Sequence, residues 1–326
     1  MQYQYRKSVQ FIVCLLLLCG YNPANAEETF QSWLETVKKQ AIQQRIKSKK
    51  QLRKALKDVK YIEKVVALDK KQPEKTITFN DYRRNVIPAS RKKKARALYR
   101  KHKTLLDKIA QKYGVQPRYI VALWGIESDF GNNMGGYYVP QALATLAYDG
   151  RRREFFTKEL LYALKILDEG HIPPQGMKGS WAGAMGQCQF MPSSFISFAT
   201  DYNGDGHRDI WGTLPDVFAS IANYLSKSGW DNTATWGRRV HVPSTLNPSL
   251  VGVDKERTLA EWQKLGVRRE NGTNLPLRNI KASLIMPDGE KEGAYLVYSN
   301  YKVLLRWNRS LFFATAVGEL SDAIGG

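Results

Sequence analysis

Glu127 lies in Gly125-Ile126-Glu127-Ser128-Asp129-Phe130-Gly131, where Tyr119, Ile120, Leu123 and Trp124 recur at three- and four-residue steps before giving way to glycine. That spacing predicts a helix opening at Pro117, with Glu127 on or beside its buried face in the last turn. A carboxylate ending an apolar helix is uncommon unless something needs it there. Breaking a glycosidic bond requires a proton on the leaving oxygen. A carboxyl supplies one near neutral pH only where an apolar setting raises its pKa. Trp124, Phe130, Met185, Phe190 and Met191 are available for such a setting. A buried glutamate satisfied by an arginine or by backbone amides fits the same pattern, and spacing alone leaves both readings open.

An ordinary glycosidase needs a second carboxylate across its cleft. Asp129 is two residues along the helix and so points away from Glu127, and no Asp or Glu falls between Gly170 and Thr200. Asp168 and Asp209 are left as groups that the fold would have to deliver. Cys188 sits in a small-residue loop, Gly183-Ala184-Met185-Gly186-Gln187-Cys188-Gln189-Phe190-Met191-Pro192. None of His102, His171, His207 and His241 stands in a pairing motif with it, so it reads as a small loop residue rather than a nucleophile.

Asp201-Tyr202-Asn203-Gly204-Asp205-Gly206-His207-Arg208-Asp209 begins like an EF-hand loop. Oxygen ligands stand at positions 1, 3 and 5 (Asp201, Asn203, Asp205), with glycine at 6 and a backbone carbonyl from His207 at 7. Position 12 is Gly212 rather than glutamate. Asn-Gly-Asp-Gly is equally a tight turn that needs no metal. Calcium here would be structural, because no reacting group calls for it.

Taken together, Gly125–Gly131, Ser180–Gly186 running into Gln189-Phe190-Met191-Pro192-Ser193, Asn223-Tyr224-Leu225, Trp307-Asn308-Arg309-Ser310 and Ala314-Thr315-Ala316-Val317 resemble the lytic murein transglycosylases of the B type, glycoside hydrolase family 103. The resemblance spans nearly all of the chain after residue 26. It implies that Glu127 protonates the oxygen between N-acetylmuramic acid and N-acetylglucosamine, then acts as base on the muramic C6 hydroxyl to close a 1,6-anhydro ring. No cofactor is required for that reaction. Tyr82, Arg152, Arg153, Ser180, Gln189, Phe190, Tyr224 and Asn308 match substrate-lining positions, and Asp216 matches an aspartate closing an enlarged calcium loop. Trp307, Phe156 and Phe313 depart from tyrosines common in the family, which removes a hydroxyl contact to the sugar at each.

Around these groups the sequence predicts a mainly α (α+β) protein with a lysozyme-like core. Residues 1–26 read as an export signal: Arg6 and Lys7, the apolar run Phe11–Leu18, then Ala24-Asn25-Ala26. Leu18 before Cys19 argues against a lipoprotein anchor, so a periplasmic protein is expected. Without the signal the formal charge falls from +20 to about +18, concentrated in Lys38–Lys60 and Arg91–Lys103, which suits peptidoglycan or an anionic membrane face; export argues against nucleic acid. Cys188 would then be the only cysteine, so no internal disulfide can form.

A helical N-terminal segment is expected over 27–102, the catalytic core over 103–230 with its EF-hand-like loop at 201–216, a β-rich insert over 231–294, and a strand and helix over 295–326 returning to the body. Helical pattern resumes through Arg91–Tyr113, Lys71–Asn80 reads as a link, and the last helix starts after Ser310. The protein is read as a monomer acting on glycan strands. A hydrolytic muramidase and a non-catalytic wall-binding scaffold are the rival functions.

Overall fold

The computed structural model describes residues 28–44, 46, 48–71, 77–289 and 293–325; the expected export signal lies outside them. Among the described residues no helix is long and apolar enough to cross a membrane. Five helices lead the chain: α1 (Phe30–Gln43), α2 (Lys49–Leu56), α3 (Glu63–Lys70), α4 (Phe79–Val86) and α5 (Ala89–Lys101). In α1, Trp33, Leu34, Val37 and Ala41 form the buried stripe that helical periodicity requires. The link expected up to Asn80 ends sooner, because Thr78 caps α4 by accepting the Asp81 N–H at 3.1 Å.

The helical pattern read through Arg91–Tyr113 breaks at His102. There α5 ends and α6 (Lys103–Tyr113) begins. The His102 ring packs edge-on to Trp124 and Phe218, at 6.2 and 5.7 Å between centroids. Gly114, at φ +65°, closes α6.

The central body continues with α7 (Pro117–Ser128), β1 (Tyr137–Tyr138), α8 (Val139–Asp149), α9 (Arg153–Asp168), β2 (Lys178–Gly179), α10 (Pro192–Phe198) and α11 (Leu214–Lys227). The α7 helix is wrapped by α5, α6, α11 and the last helix, α14 (Leu311–Gly325). Tyr119 to Gly125 are therefore buried in an unbroken row.

The β-rich part forms one antiparallel sheet in the order β4-β6-β7-β3-β5. Its strands are β3 (Gly237–His241), β4 (Glu256–Thr258), β5 (Arg268–Arg269), β6 (Lys281–Ile285) and β7 (Ala294–Val297), with α12 (Leu259–Lys264) after β4. The expected boundary at residue 294 cuts this sheet, because β7 is its central strand. Alternation explains why β7 is buried throughout: Ala294 and Leu296 join a small cluster with Trp262 and Leu284, while Tyr295 and Val297 face the main core. A further helix that the sequence reading missed, α13 (Ser299–Trp307), joins β7 to α14. Its buried Asn300, Tyr301, Val303 and Leu304 are too few to make a conspicuous periodic run.

Candidate active site

Residues 125–131 form a compact helix stop. Asp129, Phe130 and Gly131 all have positive φ, at 49°, 60° and 82°. Their turn folds back so that Asp129 N–H reaches Gly125 O at 3.1 Å and Phe130 N–H reaches Trp124 O at 3.2 Å. Gly125 has a packing reason: a Cβ there would lie 2.7 Å from the Phe130 ring. Ser128 Oγ accepts the Gly131 N–H at 3.0 Å and donates to Gln187 O at 2.8 Å, tying the helix end to the 183–192 loop. Gln187 reinforces the tie by accepting from Trp124 Nε1 and donating to Trp211 O, both at 2.7 Å. Among the described residues the positive-φ non-glycines are Asp129, Phe130 and Gln189. Strained backbone thus collects in the two segments the sequence singled out.

Glu127 emerges from this clamp with its carboxyl pushed up to about 7, by burial first and against a hydrogen bond that lowers it. The donor of that bond is Trp307 Nε1, 2.6 Å from Glu127 Oε1. Trp307 lies 5.3 Å from the Phe190 ring and 4.6 Å from Tyr224 between centroids, so Phe190, Tyr224 and Trp307 form an aromatic group beside the acid. Tyr82, on α4, feels Glu127 as well: its phenol is raised to about 12, by burial first and then by the neighbouring carboxylate. Asp129 instead faces α5, where Lys94 Nζ sits at 3.2 Å and Arg91 Nε at 3.5 Å. Asp168 accepts the Ser48 N–H, and Asp209 accepts from Trp211, Gly212 and Thr213. These partners engage each of the three other carboxylates away from Glu127.

The remaining sequence-selected residues divide. Ser180 and Gln189 lie on the same clamped loop as Phe190. Ser180 Oγ accepts from Ala184 N at 3.0 Å, and Gln189 Nε2 donates to Gly186 O at 2.9 Å and Met134 O at 3.2 Å, which leaves its amide oxygen as an acceptor. Asn308 directly follows Trp307, is exposed, and uses its amide oxygen to hold the Ser310 N–H at 3.0 Å. Arg152 pairs with the buried Asp69 at 3.3 Å and covers the Phe156 ring, while Arg153 lines a groove of about 550 Å³ against α1. Both arginines thus have partners on elements other than those that touch Glu127. Phe156 and Phe313 are buried core residues. Cys188 is buried with its thiol 3.5 Å from Val217 O, and burial pushes its pKa well up, as suits an inert thiol.

The 201–216 loop closes on its own backbone. Asp201 accepts from the amides of Gly204, Asp205 and Gly206, and Asn203 donates to Asp205 at 2.8 Å. Asp216, expected to close a calcium site, is buried and accepts the amides of Tyr202, Asn203 and Asp209. His207 is exposed, with its N–H on Asp205. Among the described residues no three His, Cys, Asp or Glu side chains gather as a metal cluster. In this arrangement the carboxylates of Asp201, Asp205 and Asp216 accept amides of the loop itself.

The residue that sequence reasoning did not connect to the acid is Trp307. It stood out only as a departure from tyrosine, and the 180 positions separating it from Glu127 hide the contact.

Residues 29–322 match the transglycosylase SLT domain family. Over 249 residues the chain is 32% identical to membrane-bound lytic murein transglycosylase B of Escherichia coli strain K12, covering 74% of this chain and 66% of that protein's length. Its fold is similar to SltB3 of Pseudomonas aeruginosa in complex with NAG-NAM-pentapeptide, with TM-score 0.89, 40% identity, and 92% of this chain and 80% of that one covered. It is also similar to the Escherichia coli lytic transglycosylase Slt35 in complex with calcium, with TM-score 0.77, 28% identity, and coverages of 89% and 92%. The mainly α, lysozyme-like architecture expected from sequence is the fold found.

Proposed function

This chain belongs to the transglycosylase SLT family, and from that premise we propose that it is a lytic murein transglycosylase acting on peptidoglycan glycan strands. The observation that carries the reading is Glu127: one carboxyl raised to about 7 beside an aromatic group, with a neutral indole as its hydrogen-bond partner. In the proposed reaction, protonated Glu127 gives its proton to the oxygen linking N-acetylmuramic acid to N-acetylglucosamine as the bond from muramic C1 breaks. The C6 hydroxyl then adds to C1, and its proton passes to the Glu127 carboxylate. The carboxyl is thereby restored, and the product ends in a 1,6-anhydro ring. One group serving as acid and then as base needs a pKa near the working pH, which burial supplies here. An intramolecular hydroxyl removes the need for a second carboxylate to activate water.

Ser180, Gln189, Phe190, Tyr224, Tyr82 and Asn308 are proposed to line the glycan cleft, whereas Arg152, paired with Asp69, and Arg153, in the groove against α1, are proposed to lie outside it. The protein is proposed to work in the periplasm as a monomer after export. The 201–216 loop is proposed as a structural brace for α11, with calcium an optional addition rather than a reactant.

Mass spectrometry of soluble products from purified sacculi tests the reading. Anhydro-muropeptides from the wild type, absent with Glu127→Gln, are expected. Reducing ends would identify a hydrolase, and sacculus binding without products would identify a scaffold.

A further inference from the structure

The partner of Glu127 is chemically one-sided. An indole N–H donates and cannot accept, so Trp307 neither takes the proton from Glu127 nor receives a bond from it. The ring also has little freedom. Tyr224 and Phe190 pack against it, Tyr224 hydroxyl donates to Arg306 O at 2.7 Å, and Asn308 N–H returns to Leu304 O at 3.0 Å to finish the turn. The indole N–H is therefore aimed at Oε1, at 2.6 Å, by packing that does not involve the carboxyl. While Oε1 accepts that bond, a protonated Glu127 carries its hydrogen on Oε2.

We propose that Trp307 is a positioning residue that assigns both proton transfers of the reaction to one oxygen, Oε2 of Glu127. This rests on the transglycosylase reading. In the first step the Oε2–H proton moves to the glycosidic oxygen and the C1–O bond breaks, leaving a carboxylate whose Oε1 still accepts the indole N–H. In the second the muramic C6 oxygen bonds to C1 and its proton moves to Oε2. The leaving oxygen and the C6 hydroxyl must accordingly use the same edge of the carboxyl in turn.

Among the described residues Tyr82 of α4 and Cys188 of the loop also sense Glu127, both shifted upward in part by its charge. The nearby cations Arg91 and Lys94 of α5 are engaged by Asp129. Trp307 is thus the group holding the carboxylate down.

The test compares Trp307→Phe, which removes the donor, with Trp307→Tyr, which restores one, and reads pH profiles together with product masses. For Trp307→Phe, kcat should fall about 10- to 100-fold with KM within about threefold. Its alkaline limb should also move to higher pH, because the bond that favours the charged form is gone. Trp307→Tyr should return the limb to near its wild-type position and recover most of kcat. Equal losses in both variants with an unmoved limb would mean packing alone, and a Trp307→Phe enzyme with wild-type kcat and limb would mean no role; either overturns the proposal.

A second readout stands apart from turnover. The Trp307 indole ¹H–¹⁵N resonance, assigned by its loss in whichever variant folds, should titrate with a midpoint near that of Glu127, about 7, and stay flat in Glu127→Gln. A resonance that is flat in the wild type also overturns it. Anhydro products from the wild type keep the underlying reading intact whatever the variants do. Reducing ends from the wild type would sink that reading while leaving the resonance to judge the contact.

Discussion

Two carboxylates of the same helical body, both with pKa raised by burial, are held in different ways. Glu127 stands in the last turn of α7 and Asp216 in the first turn of α11. The helix dipole penalises a negative charge at the first position and favours it at the second. Asp216 collects three backbone N–H groups, from Tyr202, Asn203 and Asp209, which oppose the upward push of its burial without cancelling it, so its pKa stays raised. Glu127 has the Trp307 indole and an aromatic surround. Burial raises both, so donor number and helix polarity separate the carboxyl proposed as the acid from a carboxylate that holds a loop together.

The comparison breaks most sharply at Glu127. Glu127→Gln keeps the shape and removes the proton, so product formation from sacculi should fall by about 10³-fold or more; residual turnover within tenfold of wild type would move the chemistry elsewhere. Next comes the pH profile. In the proposed reaction only protonated Glu127 starts bond cleavage, so kcat/KM should decline about tenfold per unit above its pKa of about 7. A profile flat to pH 9 would contradict this.

The same shift acts on stability. The folded pKa lies above the ordinary glutamate value of 4.5, so the neutral form is favoured on folding. Stability from this group is full below about pH 4.5 and is lost as pH rises through about 7, by ~3 kcal/mol at 1.36 kcal/mol per unit. Glu127→Gln should therefore melt higher than wild type at pH 8 and show less difference at pH 4. Equal melting temperatures at both would refute the shift.

Asp216→Asn probes the other carboxylate. It deprives backbone amides of an acceptor and should cost about 1–3 kcal/mol in denaturant unfolding, with the alkaline limb of activity unmoved. The smallest effect concerns calcium. With its carboxylates already bonded to backbone amides, the loop should leave the melting temperature within about 2 °C on adding the ion. Binding at a hundred times Kd would add ~2.7 kcal/mol and a clear upward shift.

Much of the site was legible because its parts are local. Pro117, the apolar spacing through Trp124 and the closing glycine mark the α7 helix and its end, and Glu127 falls where they say. The lack of a nearby second carboxylate was equally readable. Helix α13 was not, because its short buried stripe lies between a strand and a capping serine and offers too few periods to register. The break at His102 was hidden too, since no proline or glycine marks it and the ring is packed from elsewhere in the chain.

By itself, then, the sequence determined what kind of helix would present Glu127 and where that helix would stop, since both follow from neighbours within one or two turns. Only the tertiary structure decided how that carboxyl is tuned. The partner of Glu127 arrives on a helix 180 residues away, and Asp216 receives amides from a loop that folds back over it. Hydrogen-bond donors act over about 3 Å, and which donors come that close depends on how distant segments pack.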